Sequence, residues 1–108
     1  MALFVYVTAP DAANAETIGR MLLERRLAAC VNILPAVRSL YWWNGAIEDS
    51  EETAFIAKTE GDRFAALAEA VRAAHPYQCP CVVALPVDRA TPDFLDWINA
   101  STRPESIA

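Results

Sequence analysis

The dipeptide Asn44-Gly45 leaves this chain the fewest structural options. Both residues tolerate positive φ, and Trp42, Trp43, Ala46 and Ile47 flank them, so the segment predicts a two-residue hairpin turn. The strand before it reaches back to Ala29 through apolar, β-branched and aromatic residues. Pro35 interrupts that strand; having no N–H to donate, it implies a bulge, a bend or an edge position. The partner strand runs from Ala46 to Thr59. Strands of about 14 residues each span roughly 45 Å, whereas a helix of about 15 residues covers only about 22 Å. Half of the hairpin therefore overhangs any helix packed on it. The overhang carries Leu40, Tyr41, Trp42 and Trp43, an aromatic end that, together with unpaired strand edges, calls for a cover. A second subunit is the expected cover; the alternative is a hairpin folded back at Pro35 over its own core.

The rest of the chain supplies three helices and two further strands around that hairpin. Met1-Ala-Leu-Phe-Val-Tyr-Val-Thr-Ala-Pro10 reads as a strand broken at Pro10 and Asp11, and it lacks the basic start of a signal peptide. Met1 is read as the mature start. Asp11 and Asn14 compete as N-cap of a first helix, whose Ala15, Ile18, Leu22, Leu23 and Leu27 fall at helical spacing. Gly61 and Asp62 open a second helix with Phe64, Leu67, Ala68 and Val71 on one face, ending near His75 before Pro76. Cys81 to Val87 is a short apolar strand, and Thr91-Pro92-Asp93 starts a terminal helix that runs through Ile98. The order is β-α-β-β-α-β plus a tail helix, the split βαβ pattern of an α+β, ferredoxin-like fold. With 108 residues and 55% hydrophobic content, one domain over residues 1–108 is expected.

Charge removes some classes of partner. A net charge of -5 with only nine Lys and Arg argues against nucleic acid and against anionic membrane surfaces. No apolar run approaches the roughly 18 residues of a membrane helix. Three cysteines, an odd number in a chain with no export signal, imply reduced thiols and a cytoplasmic location.

The densest group of potential ligands is His75-Pro-Tyr-Gln-Cys79-Pro-Cys81, one imidazole and two thiols suited to soft or borderline metals. Against a metal role, Cys79 and Cys81 take alternate positions leading into a buried strand, where free cysteine acts as a small hydrophobe. His75 is either a ligand or a cap on the last carbonyls of its helix. Tyr77 shares its pocket or packs beside it. Glu48-Asp-Ser-Glu-Glu52 offers carboxylates but no calcium-loop pattern, and reads as a solvated strand end. Lys58 is either an edge residue reaching solvent or a partly buried partner of an anion. Cys30, with no cation or histidine nearby in sequence, reads as core. No nucleophile elbow, phosphate loop or His-Glu-x-x-His is present, and one histidine cannot build a His-rich catalytic metal site, so no enzyme is expected.

Taken together, Thr8-Ala-Pro-Asp11, Glu24-Arg-Arg-Leu-Ala-Ala-Cys30-Val-Asn-Ile33, Ser39-Leu-Tyr-Trp-Trp43-Asn-Gly45-Ala-Ile-Glu48, Lys58-Thr59, His75-Pro-Tyr77, Ala84-Leu-Pro-Val87 and Phe94-Leu-Asp-Trp97-Ile98 closely resemble the CutA divalent-cation tolerance family, in order and spacing, from Leu3 to Thr102. The resemblance implies a compact homotrimer like the PII signalling trimers, with long hairpins pairing between subunits. It implies tolerance and binding of copper or another divalent cation, and no reaction. It places Trp43, Glu48, Glu52, Lys58, His75 and Tyr77 around an intersubunit cleft, where His75 resembles the histidine credited with binding copper.

Two positions depart from the family pattern: Cys81 stands where the family often has Glu, and Val7 where some members have Cys. Thiolate in place of carboxylate softens the ligand set of His75, Cys79 and Cys81, so copper(I) is the expected preference. A PII-like sensor binding a small anion through Lys58 is the second reading. An acid–base site of His75, Tyr77 and Lys58 is the third, and it requires that they converge.

Overall fold

The turn at Asn44 and Gly45 forms with φ of 50° and 78°, as its sequence demands. In a computed structural model of the chain, which describes residues 1–104, it joins β2 (Cys30–Trp43) to β3 (Ala46–Glu60). The ladder between them runs from Trp43 opposite Ala46 to Cys30 opposite Lys58. Its one irregularity lies between Leu34 and Val37, where Pro35 interrupts it and Ala36 takes a left-handed φ of 60°. This is the bulge expected at Pro35; the hairpin bends there but does not fold back. The longest dimension of the molecule is 46 Å.

The other elements follow in order: β1 (Ala2–Ala9), α1 (Ala12–Glu24), α2 (Phe64–Ala74) after a 3-10 turn, β4 (Val82–Pro86) and α3 (Pro92–Ser101). The antiparallel sheet has the order β2-β3-β1-β4. The mixed α and β fold expected from the sequence is thus present, and β3 and β1 hold the centre.

Alternation along β1 divides the sheet into two faces. Val5, Val7 and Ala9 are fully buried and, with Phe55 and Ala57 of β3, meet Ile18 and Leu22 of α1 and Leu67 and Val71 of α2. Asp11 wins the competition for the N-cap of α1, accepting the Asn14 amide N–H at 2.8 Å. The helix stops at Glu24, earlier than its apolar periodicity suggests. Arg26 turns left-handed at φ 57°, its N–H bonds the Leu23 carbonyl, and the Leu27 N–H reaches the Leu22 carbonyl at 2.8 Å. That is a Schellman closure, so Leu27 joins the core from the turn and not from the helix.

The second face carries Phe4, Tyr6 and Thr8 of β1 with their register partners Lys58, Ile56 and Ala54 of β3. The Lys58 ammonium lies 5.2 Å from the Phe4 ring centre and 5.4 Å from that of Phe94 on α3, which docks over this end of the face. Toward the other edge Val83 and Leu85 of β4 remain exposed.

Three expectations need correction. Cys79 and Cys81 do not lead into a buried strand: β4 begins at Val82, is an edge strand, and leaves Cys79 exposed and Cys81 half-buried. Lys58 is not on an edge, because β3 is paired on both sides. Cys30 is half-buried, outside the core cluster, and faces Lys58 in register, so a cation does stand across from it. Among the described residues no helix is long and apolar enough to cross a membrane.

Phe55 is the largest fully buried side chain, and Phe55→Ala is expected to lower unfolding stability by about 3–5 kcal/mol in urea denaturation. A loss below about 1 kcal/mol would contradict this packing.

Candidate functional site

The segment after α2 builds the site because proline stops the helix and histidine redirects the chain. His75 is the C-cap of α2 with extended backbone, and Pro76 forbids a further helical turn. The His75 ring is buried, 8% exposed. Its Nε2 lies 2.7 Å from the Thr8 carbonyl oxygen, and its Nδ1 accepts the Tyr77 amide N–H at 3.0 Å. A carbonyl only accepts and an amide only donates, so these two bonds select the Nε2–H tautomer. His75 thus ties the end of α2 to the end of β1, and it caps a carbonyl of β1, not one of its own helix.

Tyr77, turned by that bond, reaches across to β3. Its hydroxyl donates to Glu52 Oε2 at 2.7 Å, while its ring sits 4.7 Å from the His75 ring. Burial first, then the hydrogen bond and the charge of Glu52, push the Tyr77 phenol far above the usual tyrosine range. Glu52 itself is 7% exposed, unlike the solvated strand end expected for residues 48–52. Elsewhere in that tract Asp49 forms a two-pronged pair with Arg38 at 3.0 and 2.6 Å, which holds its carboxyl below the usual range.

Around Glu52 and Tyr77 opens a cleft of about 640 Å³. Tyr6 and Thr8 of β1 and Ser39, Tyr41 and Trp43 of β2 line one side, all on the second sheet face; Pro76, Tyr77, Gln78, Cys79 and Cys81 line the other. Of the residues singled out from sequence, Trp43, Glu52, Tyr77, Cys79 and Cys81 come together here. His75 supports the wall from behind. Glu48 stands opposite Tyr41 on the outer hairpin and does not line the cleft. Lys58 lies six positions along β3 from Glu52, about 20 Å at the usual rise, and is held by aromatic rings there. His75, Tyr77 and Lys58 therefore do not converge within one subunit, which removes the acid–base reading at that level. Sequence reasoning missed Tyr6, Thr8, Ser39 and Tyr41; the period-2 alternation of β1 and β2 around the buried positions was the signal that could have found them.

A divalent ion does not fit this arrangement as it stands. Among the described residues no three of His, Cys, Asp or Glu are grouped as a metal ion would need. Both ring nitrogens of His75 are engaged. Burial and the charge of Glu52 raise the Cys81 thiol above its ordinary value, which disfavours the thiolate that binds metals.

Two outcomes follow from this geometry. Tyr77→Phe removes a hydroxyl that bonds a buried carboxylate and is expected to cost about 1.5–3 kcal/mol in denaturant unfolding. In timed alkylation with iodoacetamide near neutral pH, Cys79 is expected to react before Cys81, and Glu52→Gln to speed Cys81 by removing a charge that suppresses its thiolate. Equal rates in the parent chain would contradict the placement of Cys81 beside Glu52.

Comparison with known proteins agrees with the fold. The family described as CutA1 divalent ion tolerance protein matches residues 3–101. The chain is 48% identical over 96 residues to the "Divalent-cation tolerance protein CutA" of Archaeoglobus fulgidus, covering 89% of this chain and 93% of that one. It is similar to the solved structure named "Periplasmic divalent cation tolerance protein CutA" from Archaeoglobus fulgidus, with a TM-score of 0.93, 46% identity, and 95% of this chain and all of that one covered. A structure named "Divalent cation tolerance protein (Cut A1)" from Thermus thermophilus also gives a TM-score of 0.93, at 41% identity and with 95% of this chain and 100% of that one covered. With nearly its whole length matched at such identity, the chain belongs to the CutA1 divalent ion tolerance family.

Proposed function

We propose that this chain acts in divalent-cation tolerance, as a homotrimer whose clefts bind a ligand and catalyse no reaction. The observation that carries the reading is the match over nearly the whole chain to proteins named for divalent-cation tolerance. Self-association is supported by the bare hairpin end, where Leu40 is 66% and Trp42 71% exposed, and by the uncovered apolar part of the second sheet face. Three free cysteines favour a reducing, cytoplasmic setting for this chain.

The metal, on this reading, is copper(I) in preference to harder divalent ions, held through Cys79 and Cys81 after the wall of the cleft rearranges or a neighbouring subunit completes the ligand set. Titration of the reduced protein with copper(I) against a competing chelator, with zinc as comparator, tests this. Saturable copper(I) binding that weakens at least tenfold in Cys81→Ser is the expected result; binding unchanged in Cys81→Ser and in His75→Ala refutes direct coordination there. Native mass spectrometry tests assembly: the parent chain is expected at three subunits, and Trp42→Glu is expected to shift it toward monomer.

A second reading, a small-molecule sensor like the PII trimers, is favoured by one observation. The cleft volume falls within the usual range for small-ligand pockets, and four of its lining residues are aromatic.

A further inference from the structure

We propose that the cleft beside Glu52 binds a small organic cation carrying an ammonium headgroup, not an anion. The inference rests on the reading of this cleft as the ligand site and gives that ligand its chemical class. Glu52 is the only charged side chain among the residues that line the cleft, and none of them is Lys or Arg. Glu52 is nearly buried, and among the described residues the neutral hydroxyl of Tyr77 is its one side-chain partner, bound at Oε2. Among the described residues Oε1 accepts no hydrogen bond. Oε1 is not among the fully buried unpartnered side-chain atoms, so it keeps access to the cleft that Glu52 lines, and a cation there meets the carboxylate directly.

The walls suit an organic cation better than a hydrated metal ion. Tyr6, Tyr41, Trp43 and Tyr77 line the same space, and aromatic faces attract ammonium groups through their quadrupoles while accepting the surrounding methyl or methylene groups. Hard divalent ions call for several oxygen ligands, and the cleft offers one carboxylate. The field has the same sign: the charges of Glu52 and Asp11 both act to hold the Tyr77 phenol protonated, and Glu52 does so for the Cys81 thiol. Within one subunit, the counter-charge for an anion would have to come from Lys58, which lies well down β3 between Phe4 and Phe94.

Isothermal titration of the assembled full-length protein, with choline and its uncharged isostere 3,3-dimethylbutan-1-ol as matched probes, tests the proposal. Choline is expected to bind saturably and the isostere about tenfold more weakly or not at all, the difference that a desolvated cation–π and carboxylate contact supplies. Glu52→Gln is expected to abolish the preference for charge, with circular dichroism and native mass showing that fold and assembly are kept. If that variant does not fold, Tyr41→Ala is expected to weaken choline severalfold. Equal affinity for the two probes, no binding of choline, or tighter binding of inorganic phosphate overturns the proposal. Copper(I) saturation with no choline binding leaves the metal reading standing while this inference falls. Choline binding with no metal uptake does the reverse.

Discussion

The backbone ladder between β2 and β3 is the constraint on which the rest of the structure depends. It runs from the turn at Asn44-Gly45 to the pair Cys30–Lys58, and it places every cleft residue of both strands on one face of the sheet. Because side chains alternate with a period of two, a one-residue slip would carry Glu52 from the cleft to the opposite face and expose Phe55. Two features prevent the slip. The turn accepts two residues in left-handed conformations, and the inner half of β3 is buried against α1 and α2. The bulge between Leu34 and Val37 absorbs Pro35, so the outer half of the hairpin continues past the core without breaking the pairing.

A short relay of polar contacts then converts that scaffold into a site. Thr8, His75, Tyr77 and Glu52 are linked in sequence by bonds of 2.7, 3.0 and 2.7 Å, joining the ends of β1 and α2 to β3. Each group in it is buried or half-buried, and each bond satisfies a donor or acceptor that would be costly to leave open. The histidine is thus a strut of the cleft wall in the subunit as it stands, and using it as a metal ligand would require Nδ1 to give up the Tyr77 amide. The relay also explains why a carboxylate tolerates burial here and why its neighbours Tyr77 and Cys81 hold their protons strongly.

Much of this was legible from residue patterns. The hairpin, an irregularity at Pro35, an N-cap at either Asp11 or Asn14, the element order and the apolar face of each helix all arise from interactions between residues close in sequence, or from a periodicity that burial imposes. Less legible were features set by contacts far along the chain. Glu52 sits in an acidic run and reads as solvated, yet Tyr77, 25 positions away, buries it. Cys30 has no charged neighbour in sequence, yet Lys58 lies across the ladder from it. Leu27 fits the helical period of α1 but enters the core from a left-handed turn at Arg26, which no periodicity encodes.

By itself the sequence determined the architecture, because turn chemistry, proline placement and apolar spacing act locally and leave few ways to bury the resulting faces. Its ordered motifs also determined the family. Only the tertiary structure decided which of the marked residues meet. It brought Trp43, Glu52, Tyr77, Cys79 and Cys81 to one cleft, withdrew His75 into the wall, and kept Lys58 at the far end of the same face. The physical reason is that a site's charge and ligand geometry depend on distances between strands, and those are set by register and by the twist of the sheet, not by spacing along the chain.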